Sequence, residues 1–241
     1  MAKEEKLRFL PAGDRALVAE FGKSIDEETN RKVQQLCRTL EEQPVRGVTE
    51  LVPTFRSLMI CYDPKIVTYR KLVKKLEGRQ LSEDKKEESA KRILEVPCCY
   101  DGEDLEDMET ITGLSREEII SIHSGTTYKI YMLGFLPGFV YLGGLDARIC
   151  APRLASPRTR IPAGSVGIGG NQTGVYPMAS PGGWRLIGRT PLRFYDPARP
   201  EPILCRAGEY IRFVPIGSEE FDRISAQGES YRPFRKEESG K

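Results

Sequence analysis

Seven arginines face a single acid between Tyr131 and Tyr195. They are Arg148, Arg153, Arg158, Arg160, Arg185, Arg189 and Arg193, against Asp146, and no lysine occurs between Lys129 and Lys236. Lysine would serve for solubility, so arginine without lysine points to forked, planar recognition of carboxylate or phosphate. The blander alternative is a set of surface arginines packed over turns. The overlapping stretch Leu133–Pro191 also holds more than half of the 23 glycines and the one tryptophan, Trp184. Glycine at this density marks positive φ angles, tight turns or backbone that something approaches closely. Flexible linkers share the glycine but lack buried-type residues. Here Phe135, Phe139, Tyr141, Val166, Ile168, Tyr176 and Trp184 are interleaved with it, which describes a packed, irregular, site-like block.

Other chemistries fail on their residues. Gly22-Lys23-Ser24 ends like a phosphate-binding loop, but Leu17 stands where the first glycine is required, so the backbone cradle is missing. Ala163-Gly164-Ser165-Val166-Gly167 resembles a nucleophile elbow, yet no histidine follows it in the chain. Gly167-Ile168-Gly169-Gly170 lacks the third glycine and the βαβ setting of a dinucleotide site. Zinc is disfavoured by a single histidine and by the adjacent pair Cys98-Cys99. That histidine, His123, sits at a helix end, where packing or capping is the commoner duty. Its place just before the strand that opens the glycine block makes it the acid–base candidate.

Two domains must position these residues. Leu7–Leu10 and Ala16–Phe21 read as strands around a Pro11–Asp14 turn. Ser24 with Glu27 forms a capping box for a helix whose Val33, Leu36, Cys37 and Leu40 share a face. Val48–Val52 and Leu58–Tyr62 are a strand pair, and Tyr69, Leu72, Val73 and Leu76 a second helical stripe. Residues 1–78 are thus a small α+β sandwich domain. Residues 79–91, almost wholly polar and charged, read as an exposed linker. Residues 92–227 begin with the strand Ile93–Val96. Two short helices follow, the first stopped by Gly113 and the second started by a Ser115/Glu118 box that puts Ile119, Ile122 and His123 on one face. Tyr128–Met132, Leu192–Tyr195, Ile203–Cys205 and Tyr210–Val214 are short strands, so this part is a mostly-β, partly closed barrel. Residues 228–241 are a polar tail, expected to fray.

Length and charge bound the rest. The 241 residues suffice for two modest cores, 39% hydrophobic and 30% charged content suits a water-soluble protein, and a net charge of +2 exerts no general pull on nucleic acid or membrane. No apolar run is long enough to span a bilayer, and the first residues lack the apolar core of a signal peptide. Six scattered cysteines fit free thiols in a reducing, cytoplasmic setting.

Long stretches then resemble a known family. TYKIYMLGFLPGFVYLGGL, PRTRIPAGSVGIGGNQTGVYPMASPGGWRLIGRTP and GEYIRFVPI, with GDRALVAEFG and GVTELVPTFRSLMICYDP nearer the N-terminus, resemble the family of 5-oxoprolinase B subunits, also called the KipI or allophanate-hydrolase-subunit-1-like family. Val140 departs from the family's frequent proline. The resemblance implies an α+β N-terminal domain followed by a cyclophilin-like β-barrel. It implies hetero-oligomeric partners, a related barrel known as the C subunit and a further A subunit, with ATP used by the complex to cleave 5-oxo-L-proline to L-glutamate. The isolated chain is expected to be inactive. Within that frame His123 and Arg160 are the catalytic candidates, and Arg158, Gln172, Arg185 and Arg189 the substrate- or anion-binding ones. Phe135, Pro137, Phe139 and Trp184 would wall a pocket or meet a partner, and no metal ligand is assigned. The alternative function is a KipI-like inhibitor that grips a sporulation sensor histidine kinase.

Overall fold

The computed structural model describes residues 7–23, 26–79 and 91–238 of a mixed α/β chain with few helices. Two compact units divide it, Met1–Glu87 and Glu88–Lys241. In the first, β1 (Arg8–Pro11), β2 (Ala16–Glu20), β3 (Val48–Pro53) and β4 (Ser57–Tyr62) form an antiparallel sheet in the order β1-β2-β4-β3. Two helices, α1 (Glu27–Glu42) and α2 (Tyr69–Glu77), complete this unit. Alternation in β2 and β4 buries Leu17, Ala19, Leu58 and Ile60 with Val33, Leu36, Leu40, Leu72 and Leu76 of the helices in one core. The cap of α1 is Asp26, whose Oδ1 accepts from the Thr29 N–H at 2.8 Å. Ser24, the expected cap, lies outside the described residues, as does the linker over residues 80–90.

In the second unit, β5 (Lys91–Cys98), α3 (Leu105–Thr112) and α4 (Arg116–Gly125) precede β6 (Thr127–Leu133) and β7 (Val140–Gly143). Then follow β8 (Arg158–Ile161), β9 (Ser165–Gly169), β10 (Gln172–Val175), β11 (Ser180–Gly182), β12 (Arg185–Arg189), β13 (Tyr210–Pro215), α5 (Ser218–Gln227) and β14 (Arg235–Glu238). Eight strands make one sheet in the order β12-β9-β10-β7-β6-β13-β5-β14, and β11-β8 form a separate ribbon. Among the described residues, only β13 and β5 pair parallel. The two ends of the sheet meet: Cys99, just past β5, and Arg189, at the end of β12, exchange both backbone hydrogen bonds at 2.8 Å. The Ser115/Glu118 capping box is present on α4, and Gly113 ends α3 in the left-handed conformation, φ 71°.

Two segments depart from expectation. Leu192–Tyr195 and Ile203–Cys205 are not strands; a single bridge, Tyr195 to Ile203, joins them. Pro191, Pro197, Pro200 and Pro202 remove the donors a ladder would need. The tail does not simply fray. Arg235–Glu238 pairs antiparallel with Lys91–Leu94, covering the half of β5's edge that Arg189 leaves open.

Candidate functional site

Strand β9 reads Val166-Gly167-Ile168-Gly169 for a physical reason. Val166 and Ile168 enter the main core beside Val140, Leu142 and Val175, while the two glycines leave the opposite face bare. Trp184 lies on that bare face. A Cβ at Gly169 would come within 2.5 Å of its indole, and one at Gly174 within 3.0 Å. Only a small part of the glycine block is turn chemistry, with positive φ at Gly138, Gly144, Gly164 and Gly170. Gly143, Gly169, Gly174, Gly182 and Gly188 instead serve close approach.

Around Trp184 the aromatics gather into a second, smaller core with Ile161 and Leu186. Phe139 meets Trp184 at 5.5 Å and Tyr176 at 5.1 Å edge-on, and Tyr141 at 4.7 Å with the rings tilted, between ring centroids. Such contacts add about 0.5–1.5 kcal/mol each beyond area burial. Burial raises the pKa of both Tyr141 and Tyr176, and the nearby Arg153 charge partly opposes it. Arg153 sits with its guanidinium 5.8 Å from the Trp184 ring centroid, within cation–π range.

The rim is strained. Phe135 has φ 66°, the only positive-φ residue other than glycine among the described residues, and is 65% exposed. The Leu136 N–H donates to the Gly134 carbonyl at 2.8 Å, which makes a γ-turn centred on Phe135. Strain of this kind costs about 1–3 kcal/mol and persists only where the surroundings hold it. The Phe135 ring stands edge-on to Phe139 at 5.8 Å. Gln172 shares the face of Gly174 by strand alternation, and its Nε2 is buried with no hydrogen-bond partner among the described residues. Phe135, Phe139, Trp184 and Gln172 are therefore brought to one place, joined by Tyr141, Tyr176 and Arg153. Pro137 is exposed in the loop between Phe135 and Phe139.

Most of the arginines are already engaged. Arg158 Nη2 donates to Asp104 at 2.7 Å and its Nε pairs with Glu103 at 2.9 Å, leaving Nη1 buried without a partner among the described residues. Arg185 pairs with Asp107 at 2.6 Å. Arg189 pairs with Asp101 at 2.9 Å and stacks 4.1 Å from the Phe221 ring centroid. Arg148 holds Asp146, and Arg193 faces Asp196 at 3.5 Å. The acids that engage Arg158, Arg185 and Arg189 come from residues 101–107, outside the window in which the arginines outnumber them. Arg153 and Arg160, both exposed, keep no carboxylate partner among the described residues.

His123 does not face this site. It is fully buried between Tyr128 and Phe213, with Nδ1 at 2.8 Å from the Tyr100 hydroxyl and Nε2 at 2.9 Å from Thr173 Oγ1. Thr173 gives its own hydroxyl proton to the Gly167 carbonyl, so Nε2 carries the ring hydrogen and Tyr100 donates to Nδ1. Burial holds its pKa down at about 3, so the ring is neutral near pH 7 and satisfied on both sides. That geometry is a packing and cross-bracing role, in place of the expected acid–base one. Among the described residues, no cluster of three or more His, Cys, Asp or Glu side chains has metal-site geometry, and no helix is long and apolar enough to cross a membrane.

Comparison with known proteins places the chain. The family model for the carboxyltransferase domain, subdomain C and D, matches residues 7–205. The B subunit of 5-oxoprolinase from Bacillus subtilis is 45% identical over 224 residues, which cover 87% of this chain and 92% of that protein. The crystal structure of TTHA0988 superposes with a TM-score of 0.76 at 36% identity, over 85% of this chain but only 40% of that longer one. Urea amidolyase of K. lactis, 21% identical, shares the fold with a TM-score of 0.81 over 97% of this chain and 16% of its own. By the breadth of these matches, the chain belongs to the family of 5-oxoprolinase B subunits, within the carboxyltransferase-domain group.

Proposed function

We propose that this chain is the B subunit of a cytoplasmic, ATP-dependent 5-oxoprolinase, opening 5-oxo-L-proline to L-glutamate together with the A and C subunits. The observation that carries the reading is its 45% identity to a 5-oxoprolinase B subunit across nearly the full length of both chains. TTHA0988, of which this chain spans 40%, has room for a companion domain of the kind a C subunit would supply. In this reading the Glu88–Lys241 unit is a cyclophilin-like barrel, and the aromatic basin beside Trp184 is its share of the site.

The chemistry suits the residues. A five-membered lactam has apolar methylenes, a resonance-stabilised amide and a carboxylate. Tyr141, half-buried beside the buried Phe139 and Trp184, and the exposed Phe135 would offer the ring an apolar bed, and Arg153 and Arg160, without carboxylate partners among the described residues, would be available to its carboxylate. Gln172 Nε2, buried without an acceptor among the described residues, would donate to the lactam oxygen. Transfer of the γ-phosphoryl group of ATP to that oxygen, with ADP leaving, makes the ring carbon open to water; addition of water, cleavage of the C–N bond and departure of phosphate then give the free amine and the new carboxylate of L-glutamate. Cationic side chains stabilise the transferring charge, and Arg158 contributes through its unpaired Nη1. His123 serves by holding β10 to α4 through Thr173.

A binding role, as a KipI-like inhibitor of a sensor histidine kinase, is the second reading. The strained, exposed Phe135 favours it, since such an aromatic is the anchor an interface uses. The experiment is co-purification of the chain with the A and C subunits, followed by glutamate release with and without ATP. ATP-dependent glutamate release is expected. A fully assembled complex that releases none overturns the enzymatic reading.

A further inference from the structure

The hairpin of β9 and β10 sets a glutamine beside a glycine. Gly169 and Gln172 are directly opposed in the ladder and flank the two-residue turn Gly170-Asn171. Of these two, only Gly170 has a positive φ, 68°, the pattern of a type II′ hairpin turn. Opposed residues stand side by side on one face, with Cβ atoms about 4.5–5.5 Å apart. Gly169 leaves its place empty, and the indole of Trp184 fills it: Nε1 and Cδ1 lie 2.5 Å from where a Gly169 Cβ would stand. The indole N–H is therefore the cross-strand neighbour of the Gln172 amide.

Neither donor has a partner. Gln172 Nε2 is buried without an acceptor, and the indole N–H of Trp184, a residue only 4% exposed, meets none either among the described residues. Two N–H groups cannot satisfy each other. One orphaned donor in a folded protein is costly, and two side by side call for an acceptor from outside the chain. The surroundings say which kind. Tyr141 pairs with Gly174 on the next strand and lies 6.0 Å from Trp184 between ring centroids, an apolar frame. The Ala151 and Gly170 backbones exchange hydrogen bonds at 2.8 and 3.3 Å, which ties the segment carrying Arg153 to the tip of the hairpin. An ammonium would bring only donors to this place, whereas a carbonyl oxygen brings only lone pairs.

We propose that the Trp184 indole N–H and the Gln172 amide form a two-donor hole for the carbonyl oxygen of a small lactam, which makes the indole itself a substrate contact. The choice of a lactam rests on the oxoprolinase reading; the donor pair rests on the hairpin alone. Trp184 is the sole tryptophan, so 15N-tryptophan labelling of this chain gives one indole N–H signal, both alone and assembled with unlabelled A and C subunits. Titration with 2-pyrrolidinone, 5-oxo-L-proline and L-proline reads the contact. Both lactams are expected to move that signal downfield, and L-proline, whose ring has no carbonyl, is not. Gln172→Leu keeps most of the volume and discards the donor. It should weaken 5-oxo-L-proline about tenfold while the urea midpoint holds or rises, because a buried orphan has been removed. Trp184→Phe also opens space in the aromatic core, so Gln172→Leu is the deciding variant. An indole signal that no lactam moves in either preparation overturns the proposal. So does a Gln172→Leu variant that binds lactam normally or loses stability, since the amide would then be a packing group. A lactam-induced shift in a complex that releases no glutamate would keep the hole and discard the proposed function. Glutamate release with an unmoved indole would do the opposite.

Discussion

Trp184 rests on Gly169 so closely that a single added methyl group would stand 2.5 Å from the indole Nε1. The alternation Val166-Gly167-Ile168-Gly169 therefore does two jobs along one strand, filling the main core on one face and making the bed for a second, aromatic core on the other. No rotation of a flexible chain end relieves the clash, because the indole is itself boxed by Phe139 and Tyr176.

Gly169→Ala is accordingly expected to displace the indole. Overpacking of this kind costs about 1–3 kcal/mol. Trp184 is the chain's sole tryptophan and is 4% exposed, so its emission should move to longer wavelength in the variant. An unchanged spectrum together with an unchanged urea midpoint would refute the packing described.

How much of this is legible in the sequence depends on the range of the interaction. The β2 and β4 strands, the α1 face and the Ser115/Glu118 box follow from local periodicity and spacing, and they appear where the residues put them. Phe135, Phe139, Trp184 and Gln172 are readable as a group because glycine and aromatics interleave around them. The pairing of the arginines is not, because Asp101, Glu103, Asp104 and Asp107 arrive from a helix start more than fifty residues away in the chain. Arg153 has no local motif to set it apart from the other arginines; its signal is the absence of an acidic partner, which only the fold reveals. For His123 a local sign exists, since it lies four residues after the buried Ile119 on the same helical face.

Asp104 is the hub of that acidic row. It accepts from Arg158 Nη2 at 2.7 Å and from the Leu186 backbone N–H at 2.6 Å, tying the start of α3 to β8 and β12. Asp104→Ala strands a backbone donor and part of a guanidinium together, which should cost about 2–4 kcal/mol in urea unfolding. Arg185→Ala, whose partner Asp107 is largely exposed, should cost about 1 kcal/mol or less. Equal losses in the two variants would contradict the hub.

Arg153→Ala tests the proposed carboxylate contact in a complex reconstituted with the A and C subunits. The side chain is exposed and meets no acid among the described residues, so stability should change by less than about 0.5 kcal/mol. KM for 5-oxoproline should rise about tenfold with kcat little altered, and Arg153→Lys should recover part of the loss. An unmoved KM removes Arg153 from the substrate contacts.

His123 makes stability fall in acid. Its folded pKa of about 3 lies below the unfolded value of about 6.5. The unfolded chain therefore binds the extra proton first, and the stabilisation present above pH 6.5 is lost as pH falls toward 3. By pH 4 the loss from this one group reaches about 3 kcal/mol. Urea unfolding of His123→Gln from pH 7 to 4 should show a shallower decline than the parent protein, from a lower starting stability, because Tyr100 and Thr173 lose a partner. Parallel curves would mean that other groups dominate acid unfolding.

Phe135 separates stability from function most cleanly. Its left-handed φ of 66° suits glycine far better than phenylalanine, so Phe135→Gly relieves backbone strain. Against this stand the greater freedom of a glycine-bearing unfolded chain and the lost edge contact with Phe139. The balance should leave stability within about 1 kcal/mol of the parent. Activity, or capture by the companion subunits, should nonetheless fall steeply, because a strained and exposed aromatic has no folding role that would maintain it. A variant that assembles and turns over normally would show that the γ-turn is strain without purpose. If instead assembly persists and only turnover fails, Phe135 closes over the substrate in the basin. If assembly itself fails, the ring is the anchor that a partner grips.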